Sequence, residues 1–233
     1  MFLLDMEKAF DTVWHKGLIH KLMAINVPLS LIKIIKSYIS QRSFKVHIGK
    51  ISSTSYSVPA GVPQGSILGP HLFLIYINDI PRQTRTNLAC FADDTACFTT
   101  SNDIDLIIDR LQLSIDKLID YFRNWKLQIN ATKTEAIIFT RKRETPKRSL
   151  HVNKHPIPWS NSVKYLGVIL DKKLNWNDHV CNLRLKGIKA FNALKPLLNR
   201  RSNLKSYTKL CIYSTLIRPC ITYACPVWGC TSK

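Results

Sequence analysis

Acidic residues are scarce in this chain of 233 residues, which has 15 Asp and Glu against 34 Lys and Arg. The imbalance lies in one half, because residues 121–233 contain 22 of the basic side chains and 4 of the acidic ones. A basic excess of this size favours a polyanionic partner, and nucleic acid is the natural candidate. The alternative is a basic face that is merely solvated.

The seven cysteines form no Cys-x-x-Cys pair, and no His follows them at zinc-finger spacing. This absence excludes the common structural zinc modules. Three of them, Cys220, Cys225 and Cys230, are evenly spaced in an apolar tail. We therefore expect buried free thiols in a reducing, intracellular compartment.

Long apolar runs are also missing. Phe73–Ile77 is one short apolar run, whereas a helix that spans a membrane needs about 20 apolar residues. The N-terminus lacks the basic lead and apolar core of a signal peptide. We therefore expect no membrane partner. A hydrophobic content of 45% is nevertheless enough for a buried core and excludes wholesale disorder.

The periodicity predicts an α+β region followed by an all-α region, with a boundary near residue 175. The strongest helix signal covers residues 103–125. Prolines 196, 219 and 226 are expected to interrupt the helical region. Strands or hairpins are predicted at 2–4, 44–58, 88–92 with 96–99, 134–140, 150–152 and 163–170, and further helices at 18–25, 31–39 and 67–79.

Three carboxylates stand out because they end apolar strands. Asp5 follows the first strand, and Asp93 and Asp94 lie at the tip of a predicted hairpin. Adjacent carboxylates on apolar strands are costly unless a cation neutralises them. Hard oxygen ligands without His or Cys suit two Mg²⁺ ions, which can activate a hydroxyl and stabilise a leaving pyrophosphate. The alternative is an ordinary polar turn.

Five short motifs in this order resemble those of reverse transcriptases, in the form found in non-LTR (LINE-like, jockey-type) retrotransposons. Each motif is weak alone, but their order and spacing agree over essentially the whole chain. The tail 213–228 is similar to the segment after the polymerase core of jockey-type elements. The motifs are Leu4–Asp11, Ala60–Pro70, Phe91–Asp94, Gln128–Thr134 and Tyr165–Gly167.

The resemblance implies that Asp5, Asp93 and Asp94 are catalytic and bind two Mg²⁺ ions, or Mn²⁺ in their place. The carbonyl of Met6 is implied as a further metal ligand. Asp11, by contrast, is expected to orient local structure and not to bind metal.

Nucleotide and template contacts are implied for three other residues. Phe10 lies beneath the incoming sugar, where a flat ring would clash with a 2′-hydroxyl and favour deoxynucleotides. Gln64 and Gly65 contact nucleotide and template. The alternatives are a core Phe and a turn-rich loop before a helix.

Lys133 resembles the basic residue that protonates the leaving pyrophosphate, and Asn130 is expected to organise its turn. The segment Tyr165, Leu166 and Gly167 resembles the primer grip. The alternatives are a solvated lysine and a plain β-turn.

The fold implied is a polymerase palm, an antiparallel sheet backed by helices, over 1–175, followed by a small helical thumb or connection region over 176–233. Its basic residues would grip the template–primer duplex through phosphates. They include Arg184, Lys186, Lys189, Arg200, Arg201 and Lys205.

The implied activity is RNA-directed DNA polymerisation onto a primer 3′-hydroxyl, with an RNA template, a DNA primer and deoxynucleoside triphosphates as partners. Proteins of this family act in cytoplasm and nucleus. Because the first catalytic Asp is residue 5, we expect a fragment that lacks the fingers and endonuclease. The alternatives are an inactive remnant that only binds nucleic acid, and a palm-like nucleotide cyclase.

Overall fold

The structure is a computed structural model that describes residues 1–142 and 146–229. Two compact units divide the chain, the first made of Met1–Ala136 with Thr145–Trp159 and the second of Ile137–Glu144 with Ser160–Lys233. This geometric division differs from the boundary near residue 175. It does not test the assignment to palm and thumb, which stays a prediction.

The first unit combines helices with short strands. Its helices are α1 (His15–Ala24), α2 (Leu29–Ile39), α3 (Leu68–Ile77) and α4 (Ile104–Asn124). Its strands are β1 (Phe2–Leu4), β2 (Arg42–Phe44), β3 (His47–Ile48), β4 (Ile51–Ser52), β5 (Tyr56–Val58), β6 (Asn87–Phe91), β7 (Asp94–Phe98), β8 (Glu135–Ala136), β9 (Leu150–Val152) and β10 (His155–Ile157).

Four of these strands form an antiparallel sheet in the order β6-β7-β1-β8. The central strand β1 buries Phe2 and Leu4, while Leu3 between them is only partly buried, as the alternation of side chains along a strand requires. The predicted antiparallel sheet is therefore present.

Helix α4 supplies the other large part of the core. Asp103 caps it by accepting the N–H of Asp105 at 2.9 Å. The buried stripe repeats every three or four residues and comprises Ile108, Leu111, Ile115, Leu118 and Phe122. These side chains belong to the same buried cluster as Phe2 and Leu4, so the helix covers one face of the sheet.

A buried lysine joins three helices of the first unit. The Nζ of Lys21 in α1 donates to the carbonyl of Tyr76, to Asp79 and, at 2.8 Å, to the hydroxyl of Tyr121. It also lies 3.6 Å from the ring centroid of Trp125. Burial outweighs these contacts and lowers the pKa of Lys21.

The residues between α2 and α3 form the expected β-hairpin. β2 pairs with β5 so that Phe44 lies opposite Tyr56, and β3 pairs with β4. Gly49, with φ of +62°, lies in the turn. The prediction of a hairpin around Gly49 is confirmed.

The second unit begins with a hairpin and continues with helices. Its elements are β11 (Ser162–Tyr165), β12 (Val168–Asp171), α5 (Asn177–Leu198), α6 (Ser206–Ile212), a π-helical turn (Tyr213–Ile217), α7 (Arg218–Thr222) and α8 (Cys225–Trp228). The prediction that helices dominate this region is confirmed.

Three predictions of local structure are wrong. The strand predicted over 134–140 is reduced to β8, because Ile137 and Ile138 are buried in the second unit. Residues 163–170 are two strands, not one. Pro196 does not end α5, which continues to Leu198. Pro219 does not end the helical stretch either, because α7 follows the π-helical turn directly. Pro226 lies in the first turn of α8, where its missing N–H would have no partner within the helix.

The cysteines also differ from expectation. The six in the described part of the chain are free, and Cys97 is the buried one among them. Cys230 lies outside the described residues. No helix in the described ranges is both long and apolar enough to cross a membrane.

Candidate active site

Strand register brings the first carboxylate beside the third. β1 and β7 are antiparallel, and Leu4 pairs with Thr95. Continuing this register by one residue places Asp5 opposite Asp94. Two carboxylates that are 89 residues apart in the sequence therefore meet at one end of the sheet.

A tight turn adds the second carboxylate. Phe91 pairs with Asp94, so that β6 and β7 are joined by Ala92 and Asp93 alone. Ala92 has a φ of +52°, and a positive φ at the first central residue alone is the pattern of a type II′ turn. Because glycine is favoured there, the turn is strained, as is common at functional sites.

The charges of these carboxylates interact. Partial burial, together with the charges of Asp93 and Asp5, raises the pKa of Asp94. A site that destabilises its own carboxylate is one that a cation would stabilise. The donor set therefore fits a hard divalent cation in its chemistry.

Metal-binding geometry is a separate matter. Within residues 1–142 and 146–229, no three His, Cys, Asp or Glu side chains converge closely enough to hold a metal ion. Asp5, Asp93 and Asp94 lie at one end of the sheet, and each is at least partly exposed. Their side chains would have to change rotamer to share an ion.

The backbone at Met6 leaves its carbonyl out of the pairing with the neighbouring segment. Met6 and Ile129 form an antiparallel bridge. Its hydrogen bonds come from the flanking residues, since Glu7 donates to Gln128 and Asn130 donates to Asp5. In such a pair the carbonyl of the central residue points away from its partner. The Met6 carbonyl is therefore directed away from Ile129.

The segment around Phe10 contacts the loop of the second motif. Val62 donates to the carbonyl of Phe10 at 2.8 Å, and Gly61 donates to Val13 at 2.9 Å. A Cβ on Gly61 would lie 2.7 Å from the Asp11 carbonyl, and its φ is +88°. Only glycine permits this approach.

Phe10 and Gln64 are thus held near each other in the first unit. The ring of Phe10 is partly exposed and packs on Phe73, with centroids 4.6 Å apart. The amide of Gln64 donates to the carboxylate of Asp11 at 2.8 Å. This hydrogen bond orients Gln64. It also gives Asp11 a partner away from the three candidate catalytic carboxylates.

Gly65 lies in the turn before α3. Its φ is +76°, and no protein atom lies within 4 Å of the position of a Cβ. The turn is stabilised by Ser66, whose hydroxyl donates to Pro63 and accepts from the N–H of Gly69. The space above Gly65 is therefore open in the described structure.

Lys133 lies beside the first carboxylate. Its Nζ is 4.0 Å from Oδ2 of Asp5, and its side chain is 71% exposed. Asn130 forms this turn, because its side chain accepts from Thr132 and its carbonyl accepts from Thr134. The N–H of Asn130 also donates to the Asp5 carbonyl at 2.8 Å, which links the turn to β1.

The candidate primer grip lies in the second unit. Tyr165 ends β11, and the two turn residues Leu166 and Gly167 have φ values of +46° and +79°. Positive φ at both positions is the pattern of a type I′ turn. Tyr223 donates its hydroxyl to the Leu166 carbonyl at 2.8 Å. This contact was not foreseen, because nothing in the tail marks Tyr223 out.

A buried histidine supports the same hairpin. Nδ1 of His179 accepts the N–H of Ile169 at 3.2 Å, so Nε2 carries the ring proton. Nε2 is buried without a hydrogen-bond partner among the described residues. The ring meets Trp228 edge to face at 5.9 Å. Burial and the charge of Lys186 lower the pKa of His179.

The basic residues expected to contact a duplex are all exposed in the second unit. They are Arg184, Lys186 and Lys189 on α5, and Arg200, Arg201 and Lys205 after it. Their exposure leaves them free for phosphate contacts.

Comparison with known proteins supplies the family. Residues 1–170 match the family described as reverse transcriptase (RNA-dependent DNA polymerase). The chain belongs to this family.

Three similar curated proteins come from mobile elements of Drosophila melanogaster. One is the probable RNA-directed DNA polymerase from transposon X-element, 36% identical over 97% of this chain and 25% of its own length. The RNA-directed DNA polymerase from mobile element jockey is 34% identical over 99% and 26%. The probable enzyme from transposon BS is 32% identical over 99% and 26%. The prediction of a jockey-like, non-LTR reverse transcriptase domain is confirmed.

The chain spans about a quarter of the length of these relatives. Membership of the family therefore does not by itself assign the activity of the whole protein to this chain.

Proposed function

We propose that the chain contains the palm and a helical thumb region of an RNA-directed DNA polymerase, and that Asp5, Asp93 and Asp94 are its catalytic carboxylates. The register that places Asp5 opposite Asp94, next to the turn residue Asp93, is the observation that supports this most strongly.

The substrates follow from this activity. An RNA template, a DNA primer and deoxynucleoside triphosphates are the partners, together with the fingers and endonuclease segments of a longer protein. We place its action in the cytoplasm and nucleus. The cations needed are two Mg²⁺ ions, for which Mn²⁺ can substitute.

The three carboxylates and the Met6 carbonyl would hold the metal ions. When bound, the ions supply activation of the primer hydroxyl and charge stabilisation of the leaving pyrophosphate. The chain's own contribution is position: the sheet fixes Asp5 and Asp94, and the strained turn at Ala92 fixes Asp93.

Lys133 would donate a proton to the leaving group. Its amine lies at the Asp5 side of the site and is mostly exposed, so it can follow the departing phosphate. Phe10 would limit the sugar, and the Gln64 amide, oriented by Asp11, would contact nucleotide and template together with Gly65. Open space above Gly65 supports close approach of a ligand.

The second unit would position the primer. Tyr165, Leu166 and Gly167 form the grip, and Tyr223 holds its turn. The exposed basic residues of α5 and the segment after it would bind duplex phosphates without sequence preference.

Primer extension on an RNA template with a DNA primer, Mg²⁺ and deoxynucleotides tests the proposal. Asp93→Asn should reduce extension by about a hundred- to a thousandfold, because a metal ligand contributes several kcal/mol to the transition state. Asp105→Asn, an exposed carboxylate in the first turn of α4, should leave extension unchanged.

Binding of the same duplex is measured in parallel. Extension by the wild type that survives Asp93→Asn would refute the catalytic assignment. Salt-sensitive binding without extension by either protein would identify the chain as a remnant that only binds nucleic acid. Product formed from ATP or GTP alone would indicate a cyclase.

A further inference from the structure

The β2–β5 hairpin exposes a stacked aromatic pair. Phe44 and Tyr56 lie directly opposite each other, with ring centroids 5.7 Å apart and ring planes 29° from parallel. Their exposed fractions are 51% and 54%. No catalytic motif includes either ring. A planar group of a ligand can stack on such a surface.

The surroundings of this pair are basic. The sequence has no Asp or Glu between Asp11 and Asp79, whereas the hairpin region has Arg42, Lys45 and Lys50. A surface with cations and without carboxylates attracts polyanions. The ligand that fits both features therefore combines planar rings with negative charge.

Arg42 is placed to serve the same face. Residues two apart on a strand point to the same side, so Arg42 lies on the side of Phe44. Its Nη1 is buried and has no hydrogen-bond partner among the described residues. Because Nη1 is closed to solvent, the contribution of Arg42 to this face is its positive charge, which attracts a phosphate at the surface.

The hairpin leads directly into the loop of the second motif. β5 ends at Val58, and three residues later Gly61 is fixed by its hydrogen bond to Val13. The strand that carries Tyr56 is thus continuous with the loop that carries Gln64.

We propose that Phe44 and Tyr56 form a base-stacking platform for single-stranded nucleic acid, and that Arg42, Lys45 and Lys50 bind its phosphates. The choice of ligand class rests on the proposed function. The platform itself makes no use of the catalytic carboxylates, so it can fail or succeed independently of polymerisation.

The test uses the full chain and two fluorescent oligonucleotides of 12 residues, one of oligothymidylate and one with abasic sites throughout. The wild type should bind the base-containing strand more tightly. Tyr56→Ala and Phe44→Leu should each weaken that binding about fivefold to tenfold, because stacking on one ring contributes roughly 1–3 kcal/mol and the rings are only half exposed. Neither substitution should change the affinity for the abasic strand.

The cations have a different signature. Lys45→Ala should weaken binding of both strands equally and reduce the slope of log K against log salt by about 0.7, the contribution of one phosphate contact to a single strand. This separates phosphate binding from stacking.

Ile51→Ala is the matched control, since Ile51 is a more exposed apolar residue of the same hairpin, without a ring. It should bind both strands like the wild type. Equal binding by wild type and Tyr56→Ala would overturn the platform. An equal loss in Ile51→Ala would also overturn it, because the strand would then contact apolar surface in general and not the rings. Primer extension by the same variants is scored separately, so failure of catalysis does not decide this result.

Discussion

The two units hold their candidate functional groups in different ways. In the first, Asp5 and Asp94 extend strands whose inward side chains, such as Phe2 and Leu4, belong to a large buried core. In the second, the Leu166–Gly167 turn depends on individual contacts, such as that from Tyr223. Many apolar side chains of the second unit's helices are exposed.

The two candidate sites should therefore respond differently to the loss of a single contact. A site built on a large core keeps its geometry when one surface contact is lost, since many packing interactions remain. A turn held by a few polar contacts moves when one of them is removed. We therefore expect substitutions that spare the core to affect the second unit more than the first.

The largest stability effect should come from the polar group inside the first unit's core. Lys21→Met removes the donor that Tyr76, Asp79 and Tyr121 share. We expect a loss of about 2–4 kcal/mol in the free energy of unfolding, because the carbonyl and hydroxyl left behind are buried. Urea denaturation measures it. Lys16→Met, an exposed position on the same helix, should change it by less than about 0.5 kcal/mol.

The turn of the primer-grip candidate should respond next. In Gly167→Ala a Cβ at φ of +79° would also lie 3.0 Å from the Tyr223 ring. We expect about 2–3 kcal/mol of destabilisation. About 1–2 kcal/mol of it is the backbone strain of a residue with a Cβ at positive φ. Gly49 has a similar φ of +62°, but the space around its Cβ position is open. Gly49→Ala should therefore show the backbone strain alone. Equal losses in the two variants would mean that Tyr223 does not constrain the turn.

Asp171 offers a test of the second unit by pH. Partial burial acts to raise its pKa, but the N–H groups of Asn175, Trp176 and Lys173 outweigh burial and lower the pKa. A lowered folded pKa gives stability that is present above the unfolded pKa and lost as pH falls through the folded pKa.

Asp171→Asn should therefore cost about 1–2 kcal/mol at pH 7 and remove this part of the acid sensitivity, because charge-assisted hydrogen bonds are lost. Thermal melting between pH 7 and pH 3 measures both. Asp178→Asn, an exposed carboxylate in the first turn of α5, is the control. A pH profile of Asp171→Asn identical to that of the wild type would contradict the contribution of these hydrogen bonds to stability.

The smallest effect concerns the carboxylates themselves. The pKa of Asp94 is raised, so its ionisation destabilises the fold as pH rises from the unfolded pKa through the folded one. At pH 7 without divalent cations, Asp94→Asn should give a slightly higher Tm than the wild type. Added Mg²⁺ should raise the Tm of the wild type but not that of the variant. An equal Mg²⁺ response in both proteins would argue against a cation at Asp94.

Local patterns determined much of this protein. The apolar run Phe2–Leu4, the stripe of α4 and the paired Asp93–Asp94 are short-range features, and each was predicted close to its observed bounds. Such features depend on neighbours within a few residues, where periodicity and turn preferences decide the backbone. The order of the five motifs was enough to predict the family.

Tertiary structure decided the contacts between distant residues. The sequence does not specify that Gln64 bonds to Asp11 across 53 residues, or that Tyr223 holds the turn at Leu166 across 57. It also does not show that the apolar pair Ile137 and Ile138 leaves the sheet for the second unit. These choices depend on register and on which surface each segment buries. Many pairings satisfy the same local pattern, and only packing of the whole chain selects one.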